Sequence, residues 1–388
     1  MTNNLQGKKI GVFASGGLTA WTVAKYAKEK GADVSIYWAD VGQYDEPKIG
    51  LFFAEMETLG IDVFKLDLQK QVAIFAADML KFNACYEGGY WNSTGALRYI
   101  LVKNISNMMK QHKLDCYSHG CVGGGNDQKR FSQYSKAFIP EIEEYLAWKD
   151  AEFVARFKNR HDMVAYLINA EVSPALVGKD TESTDSCLIG TSYESTVLET
   201  LDFDYSDTPA LMSVAPWKVT TESTQASIRY VAGKAVAINE LPVSELQALR
   251  SANEIGGGNG ISLRAVIENR VQDTKCRGVY ESPGMDLLAV GLQSLRQVYF
   301  SKEQGIAFSK LSTQAGQFIY RGQYTTEQAQ NIVSELETLT STLSGTVTLK
   351  LYRGNILCIK VCELEQAAHD LHQRRFADGG HVWSNADA

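Results

Sequence analysis

The chain has 388 residues, of which 45% are apolar and 21% are charged, and its formal net charge is −7 at pH 7. This length exceeds the usual size of one hydrophobic core and predicts two domains. The composition is that of an ordinary soluble protein, and the acidic balance argues against a nucleic-acid partner, because such binding depends on basic side chains that neutralise phosphates. A small anionic ligand held by backbone N–H groups remains compatible with this charge.

The amino-terminal residues 1–9 are polar, and the apolar run after them is too short for a secretion signal or a membrane span. We therefore expect a cytoplasmic protein without a membrane partner. Seven cysteines are scattered along the chain without a C-x-x-C pair or a zinc-type spacing. This pattern is typical of reduced, buried thiols and predicts no metal site.

The first predicted strand ends in a glycine turn. The apolar run 10–14 stops at Ser15-Gly16-Gly17, and apolar residues at helical spacing then cover 18–30, before Gly31. A buried parallel strand has this appearance, and the turn at its carboxyl end directs backbone N–H groups toward whatever lies above the sheet. The turn matches neither a P-loop nor a dinucleotide-binding turn. A phosphate site and a plain structural turn are both open at this point.

The next stretch repeats the alternation of strand and helix. Strands are predicted over 33–41, 61–68 and 114–120, and helices over 46–59 and 96–113. This order predicts a domain of the α/β class, with a parallel sheet covered by helices on both faces.

A second glycine loop follows the strand at 114–120. It is predicted to run over 119–131, and it contains Gly120 and Gly125 followed by the polar run 126–130. Ligands of open α/β sheets lie at the carboxyl ends of the strands, so both glycine loops are predicted to face one crevice. A flexible loop would account for the glycines but not for the polar residues directly after them.

The regular alternation fades after residue 136, and we place a domain boundary near Asn169. The predicted units are a nucleotide-binding domain at 1–168, a substrate-binding domain at 169–362 and a C-terminal segment at 363–388. Within the last two units the sequence predicts a hairpin over 226–238 with its turn at Gly233-Lys234, a helix over 243–253, strands over 345–352 and 355–361, a helical tail over 363–376 and disorder over 377–388.

Taken together, these motifs resemble those of the argininosuccinate synthase family, a branch of the ATP-pyrophosphatase superfamily, over nearly the whole chain. They stand in family order and at family spacing: Ser15-Gly16-Gly17-Leu18, 39–43, Gly123-x-Gly125-Asn126-Asp127-Gln128, Thr184-Asp185, Ser192-Tyr193-Glu194, 267–270 and 277–284. The resemblance implies a Rossmann-like, adenine nucleotide alpha hydrolase-like domain followed by an α+β synthetase domain. It also implies a homo-oligomer, either a dimer or a tetramer.

The reaction that the resemblance implies has two steps and uses ATP with Mg²⁺. The ureido oxygen of citrulline attacks the α-phosphorus of ATP and releases pyrophosphate, and the amine of aspartate then displaces AMP. Such chemistry depends mainly on holding two substrates in line and on donors for the phosphates.

The resemblance also implies individual roles. Asp127 and Arg130 would act in catalysis. The implied ATP-binding residues are Ala14, Ser15, Gly16, Gly17, Leu18, Ala39, Gly120 and Gly125. Citrulline would be bound by Tyr90, Asn126, Arg130, Ser183, Ser192, Glu268 and Tyr280. Aspartate would be bound by Thr94, Val122, Asn126 and Asp127.

The chain departs from the family pattern mainly around the nucleotide and the amine. Thr19-Ala20-Trp21 replaces an acidic residue and two hydroxyl residues, while Gly95, Val122 and Gly124 replace a serine, a threonine and a lysine. Two lost hydrogen bonds to a charged phosphate would weaken nucleotide binding by about 10² to 10⁴, unless backbone groups compensate. The citrulline side is better kept, and this asymmetry indicates a changed amine substrate or a loss of catalysis.

Two other classes of protein stay open. A non-catalytic amino-acid-binding or regulatory protein would keep the fold and the amino-acid pocket, and Ala20 and Trp21 favour it. A tRNA-modifying ATP-pyrophosphatase shares the Ser-Gly-Gly loop. The acidic charge and the scattered cysteines oppose this last class.

Overall fold

The structure is a computed structural model that describes residues 5–15, 17–44, 49–170, 183–220, 222–261 and 263–364. Its first half alternates strands and helices, as the apolar spacing predicts. The elements are β1 (Lys9–Phe13), α1 (Leu18–Glu29), β2 (Asp33–Asp40), α2 (Ile49–Thr58), β3 (Asp62–Asp67), α3 (Gln69–Phe82), α4 (Ser93–Gln111), β4 (Cys116–His119), α5 (Asn126–Phe138), β5 (Glu143–Glu144), α6 (Ala151–Arg156) and α7 (Arg160–Ile168).

These five strands form one parallel sheet in the order β3-β2-β1-β4-β5. The chain runs outward from β1 to β3 and then returns to place β4 on the other side of β1, so the strand order reverses between β1 and β4. Such a reversal opens a crevice at the carboxyl ends of the two strands. In β1, Ile10 and Val12 on one face are completely buried and Phe13 on the other face is 5% exposed, as in a strand covered on both faces. The predicted α/β fold class is confirmed.

The second half contains antiparallel sheets and helices. Its elements are β6 (Ser183–Cys187), β7 (Gly190–Glu194), β8 (Thr224–Val231), β9 (Lys234–Ile238), β10 (Leu241–Pro242), α8 (Glu245–Gly258), β11 (Leu263–Asn269), β12 (Lys275–Glu281), α9 (Pro283–Tyr299), α10 (Lys302–Tyr320), α11 (Glu327–Thr340), β13 (Gly345–Tyr352) and β14 (Asn355–Cys362). The strands form one sheet ordered β10-β9-β8-β13-β14 and another ordered β11-β12-β7-β6.

Three local predictions are corrected by the structure. The loop predicted over 119–131 ends early, because α5 begins at Asn126 and buries Phe131 and Tyr134 at helical spacing. The hairpin between β8 and β9 turns at Ala232-Gly233, one residue earlier than predicted, and both residues have positive φ. The helix predicted over 243–253 extends to 258. The tail predicted as helix and disorder lies, from residue 365 on, outside the described residues.

One apolar core joins the two halves. It contains Val72 of α3 and Ile100 of α4 together with Leu249 of α8, Leu288 of α9 and Leu349 of β13. Burial of this continuous surface is the main force that fixes the halves relative to each other. No described helix is long and apolar enough to cross a membrane.

The turn between β6 and β7 sits directly on the end of β2. Leu188 donates its backbone N–H to the carbonyl of Val41 at 3.0 Å. A side chain at Gly42 would begin 2.5 Å from Leu188, so glycine is required for this approach. The antiparallel sheet β11-β12-β7-β6 is thereby placed over the crevice of the parallel sheet.

Candidate active site

A cavity of about 500 Å³ lies between the two sheets. The ends of β1, β2 and β4 and the start of α5 form one side, and β6, β7, β11, β12 and the end of α10 form the other. Almost every predicted site residue lines it: Ala14, Ser15, Gly17, Leu18, Ala39, Tyr90, Thr94, Gly120, Val122, Gly125, Asn126, Asp127, Arg130, Ser192, Glu268 and Tyr280. The structure does not describe Gly16 or the side chain of Ser183.

The two glycine loops meet at the start of α1. Gly17 caps this helix with an extended backbone and without a side-chain acceptor, and the first backbone N–H groups of a helix have no partner within it. Gly120 lies beside them, since a Cβ atom at this position would be 2.8 Å from the backbone nitrogen of Ala20. The cavity therefore ends in a close cluster of backbone groups suited to an anion.

Trp21 does not enter the cavity. Only 2% of its surface is exposed, and its ring centre lies 4.7 Å from that of Phe52 in the core beneath α1. Thr19 and Ala20, by contrast, line the cavity wall. Trp21 therefore packs in the core and its ring does not block the nucleotide end of the cavity, while the loss of a phosphate contact at this position stays a prediction.

Asp127 lies in the first turn of α5 between two guanidinium groups. Arg98 Nη2 donates to Asp127 Oδ2 at 3.0 Å, and Arg130 Nη1 donates to Asp127 Oδ1 at 2.8 Å. Burial alone would raise the pKa of Asp127, but the two arginines outweigh it and hold this pKa below its usual range. Arg98 Nη2 also donates to Asp185 Oδ2 at 3.1 Å, which links α4 to β6 across the cavity.

Glu268 is a second carboxylate that lines the cavity, on the side away from the glycine loops, and only 4% of its surface is exposed. Its Oε1 accepts a hydrogen bond of 2.7 Å from the Tyr320 hydroxyl. Burial raises the pKa of Glu268, while Tyr320 and then Arg130 oppose the rise. Its Oε2 is buried and meets no donor at hydrogen-bonding geometry among the described residues. An unpaired buried carboxylate oxygen points to a cationic or donor ligand.

Aromatic rings and hydroxyls enclose the same end. Tyr90 and Tyr280 stack with ring centres 4.1 Å apart, and the Tyr90 hydroxyl accepts from the backbone nitrogen of Thr94 at 3.1 Å. The hydroxyls of Thr94 and Ser192 are 3.5 Å apart. These hydroxyls give the cavity neutral polar groups next to the Glu268 carboxylate.

Two of the family departures have a structural account. A side chain at Gly95 would begin 2.9 Å from the carbonyl oxygen of Ile319, so glycine allows α4 to lie against α10. Gly124 has a φ of +81°, a conformation that glycine adopts without strain. Val122 is 61% exposed on the lip of the cavity, and nothing in the structure explains its replacement of a hydroxyl residue.

The sequence assigned no role to five residues that line the cavity, which are Arg98, Asp185, Glu194, Arg270 and Tyr320. Three of them, Asp185, Glu194 and Arg270, lie within the family motifs. Glu194 is the most perturbed of them in the physiological range. Although 56% of its side chain is exposed to the cavity, enclosure by the walls, together with Asp127 and Asp185, raises its pKa to about 7. Arg98 gave no signal, because a single arginine in a predicted helix is ordinarily exposed.

Comparison with known proteins matches both halves of the chain. Residues 9–172 match the arginosuccinate synthase N-terminal HUP domain, and residues 182–374 match the arginosuccinate synthase C-terminal domain. The chain is also similar to the argininosuccinate synthase of Mesorhizobium japonicum, at 30% identity over 90% of this chain and 86% of the relative. A second relative, the argininosuccinate synthase of Endomicrobium trichonymphae, is 28% identical over 98% of this chain and 91% of its own.

The chain belongs to the argininosuccinate synthase family. The resemblance predicted from the motifs is thus confirmed. Membership in this family supports an ATP-dependent ligase, while the amine substrate, the individual residue roles, the domain boundaries and the oligomeric state remain predictions.

Proposed function

We propose that this chain is an ATP-dependent carbon–nitrogen ligase that adenylates the ureido group of citrulline, or of a close analogue, and condenses it with an amine. The observation that carries the proposal is the cavity in which the anion-binding turn and the unpaired Oε2 of Glu268 face the same space. A cavity of about 500 Å³ is within the ordinary range for binding a small-molecule substrate.

The nucleotide would occupy the end formed by the two glycine loops. Backbone N–H groups at Gly17 and Leu18 would receive the pyrophosphate portion, and Gly120 and Gly125 would let the chain approach it closely. Ala39, at the end of β2, would contact the nucleoside. Because these donors are fixed before the reaction, they stabilise the charge that develops on the leaving pyrophosphate without further rearrangement.

Citrulline would occupy the end formed by Glu268 and the tyrosines. Glu268 would pair with the α-ammonium, and Tyr90 and Tyr280 would cover the chain. Ser183 and Ser192 would offer hydroxyls to the carboxylate. Arg130 and Asn126 would hold the ureido end near the nucleotide, where the ureido oxygen attacks the α-phosphorus and the bond to pyrophosphate breaks.

The amine would enter beside Asp127 and Thr94. Its ammonium group first loses a proton to solvent, the free amine nitrogen then attacks the ureido carbon, and AMP departs with the former ureido oxygen. Asp127, kept ionised by Arg98 and Arg130, is suited to hold the incoming ammonium. The described residues include no cluster of three or more His, Cys, Asp or Glu side chains that could hold a metal. We therefore expect Mg²⁺ to arrive with ATP, since this ion binds through phosphate oxygens and few carboxylates.

An amine other than aspartate is the second candidate. The side predicted for aspartate carries the carboxylates of Asp127, Asp185 and Glu194. Arg98 and Arg130 already contact Asp127, and Arg270 lies 3.8 Å from Glu194. A second carboxylate on the amine substrate would therefore add little binding free energy at this side of the cavity. The exposed Val122 would instead favour an amine with an apolar or short side chain.

Pyrophosphate release is the test of the proposal. The full chain with Mg²⁺-ATP should release pyrophosphate only when a ureido compound is present, and product should form only when an amine is added. Aspartate, alanine and glycine would be compared as amines. Citrulline binding without ATP binding in calorimetry would favour the non-catalytic class, and no release with any ureido compound would remove the ligase.

A further inference from the structure

Tyr320 contacts three residues of the proposed substrate site at once. It is the last residue of α10 and is 1% exposed. Its hydroxyl donates to Glu268 Oε1 at 2.7 Å and accepts from Asn126 Nδ2 at 3.1 Å. Its backbone carbonyl accepts from Arg130 Nε at 2.7 Å. One side chain and its peptide unit thus connect α5, on one side of the cavity, to β11, on the other side.

The hydroxyl decides which way the Asn126 amide faces. Because the Tyr320 hydroxyl donates its hydrogen to Glu268, its oxygen acts as an acceptor toward Asn126. Only the amide nitrogen of Asn126 can donate to it. The amide oxygen accepts in turn from the backbone nitrogen of Val271 at 3.1 Å. Asn126 therefore has an N–H left for a ligand, which suits an acceptor such as a ureido or carboxylate oxygen.

The same hydroxyl acts on the charge of Glu268. Several titratable or charged groups face this carboxylate from the elements packed around it, and they are Tyr86 and Tyr90 before α4, Arg130 of α5, Glu194 of β7, Cys276 and Tyr280 of β12, and Tyr320 itself. Among them, Tyr320 and then Arg130 favour the ionised form of Glu268 most, and Cys276 and Tyr280 favour it to a smaller extent. Burial raises the pKa of Tyr320 above its ordinary value, so it stays a donor.

Packing holds the Tyr320 ring in this position. The ring stacks on Tyr86 with centres 3.7 Å apart and planes 11° apart. The guanidinium carbon of Arg130 lies 4.7 Å from its centre. These contacts do not involve the hydroxyl, so they persist when it is removed.

We infer that Tyr320 is a positioning residue, whose hydroxyl orients the Asn126 amide and holds the Glu268 carboxylate for the α-ammonium of the amino-acid substrate. The inference rests on the proposed function for the identity of that substrate. The contacts among Tyr320, Asn126 and Glu268 stand independently of it.

The variant Tyr320→Phe tests the inference in the full chain, with Tyr86→Phe as the matched control. Tyr86 donates its hydroxyl to the carbonyl of Asn269 at 2.8 Å and leaves the stacked pair intact when it becomes phenylalanine. Calorimetry should show that Tyr320→Phe weakens citrulline binding about tenfold at pH 7, as expected for one lost hydrogen bond to a charged group. The weakening should be greater at pH 6 than at pH 8, because Glu268 loses a contact that favours its ionised form. The control should bind as the wild type does.

A ligand-free measurement separates this inference from the proposed function. The NMR signal of the Glu268 carboxyl carbon, assigned by comparison with Glu268→Gln, would be followed against pH. Its titration midpoint should lie at a higher pH in Tyr320→Phe than in the wild type. An unchanged titration midpoint overturns the inference, and so does citrulline binding with wild-type affinity and pH dependence. A wild-type chain that binds no citrulline removes the proposed function, and the shift of the Glu268 midpoint then decides the inference alone.

Discussion

Arg98 is the residue on which two carboxylates of the cavity wall converge. It reaches from α4 to Asp127 of α5 and to Asp185 of β6, and 11% of its side chain is exposed. A guanidinium group that pairs with two carboxylates offsets the repulsion between them. Removing it would leave the negative charges of Asp127 and Asp185 near each other without this cation. At the scale of single residues, Arg98 therefore holds Asp127 ionised and ties the two sheets together.

The variant Arg98→Gln should lose about 2–3 kcal/mol in the free energy of unfolding at pH 7, on the scale of hydrogen bonds between charged groups. The pKa of Asp127 is depressed in the folded chain, so its stabilising contribution exists above its unfolded pKa and is lost as the pH falls. Urea denaturation should therefore show a smaller loss at pH 3, below the ordinary pKa of an aspartate, than at pH 7. The control Arg156→Gln removes an exposed arginine that pairs with exposed Glu29, and it should cost less than about 1 kcal/mol. Equal losses for the two variants would contradict the role of Arg98.

The raised pKa of Glu194 predicts a second pH dependence of the free energy of unfolding, with a sign opposite to that of Asp127. Its pKa in the folded chain is about 7, above its ordinary value, so the folded chain retains a proton that the unfolded chain has lost. Stability should therefore fall as the pH rises toward 7, and Glu194→Gln should remove this part of the fall. The unfolding free energies of the two proteins would be compared at pH 5 and pH 8. Glu335→Gln, at an exposed position of α11, serves as the control and should keep the wild-type slope.

Helix α1 shows how an element can absorb a departure from its family. Apolar spacing along the helix turns Trp21 into the core, while Thr19 and Ala20 face the cavity. The bulky side chain therefore changes packing under the sheet rather than the space available to a nucleotide. Thr19→Asp is accordingly the part of the family motif that can be restored without opening the core.

Replacement of Trp21 by serine should destabilise the protein by about 3–5 kcal/mol, because it leaves a cavity against Phe52. The folded fraction should bind Mg²⁺-ATP with unchanged affinity. Trp217→Ser is the matched control: Trp217 is 58% exposed, and its loss should change stability by less than about 1 kcal/mol. Tighter nucleotide binding by Trp21→Ser would show that the indole does obstruct the site.

At the scale of the whole molecule, the site depends on one core shared by both halves. Helix α3 packs on α8 and α9, helix α4 packs on α10, and Lys81 of α3 pairs with Glu337 of α11. The cavity walls come from both sides of this interface. Loosening either half would therefore disturb both ends of the cavity.

This shared core predicts a single cooperative unfolding transition. The calorimetric and van't Hoff enthalpies should agree, although many chains of this length unfold in steps. The variant Val72→Ala, which removes apolar contact from α3, should lower the free energy of unfolding by about 2 kcal/mol. The midpoint temperature of the whole transition should fall with it. Two separate transitions, only one of which moves in Val72→Ala, would show that the halves unfold independently.

The sequence by itself determined the features that are local along the chain. The strands of the parallel sheet, the glycine turns after β1 and β4, and the family motifs follow from apolar spacing and from turn chemistry between near neighbours. The carboxyl ends of the strands and the topological rule then bring these loops to one crevice. For this reason the sequence predicted the α/β class and most of the residues that line the cavity.

Only the tertiary structure decided which of those residues touch. Asn126 and Tyr320 are 194 positions apart, and Arg98 meets Asp185 across 87 positions, yet each pair is joined by a hydrogen bond. Spacing along one element carries no information on partners that arrive from another. Likewise, the burial of Trp21 and the unpaired oxygen of Glu268 arise from packing between elements, because burial and desolvation depend on everything that surrounds a side chain.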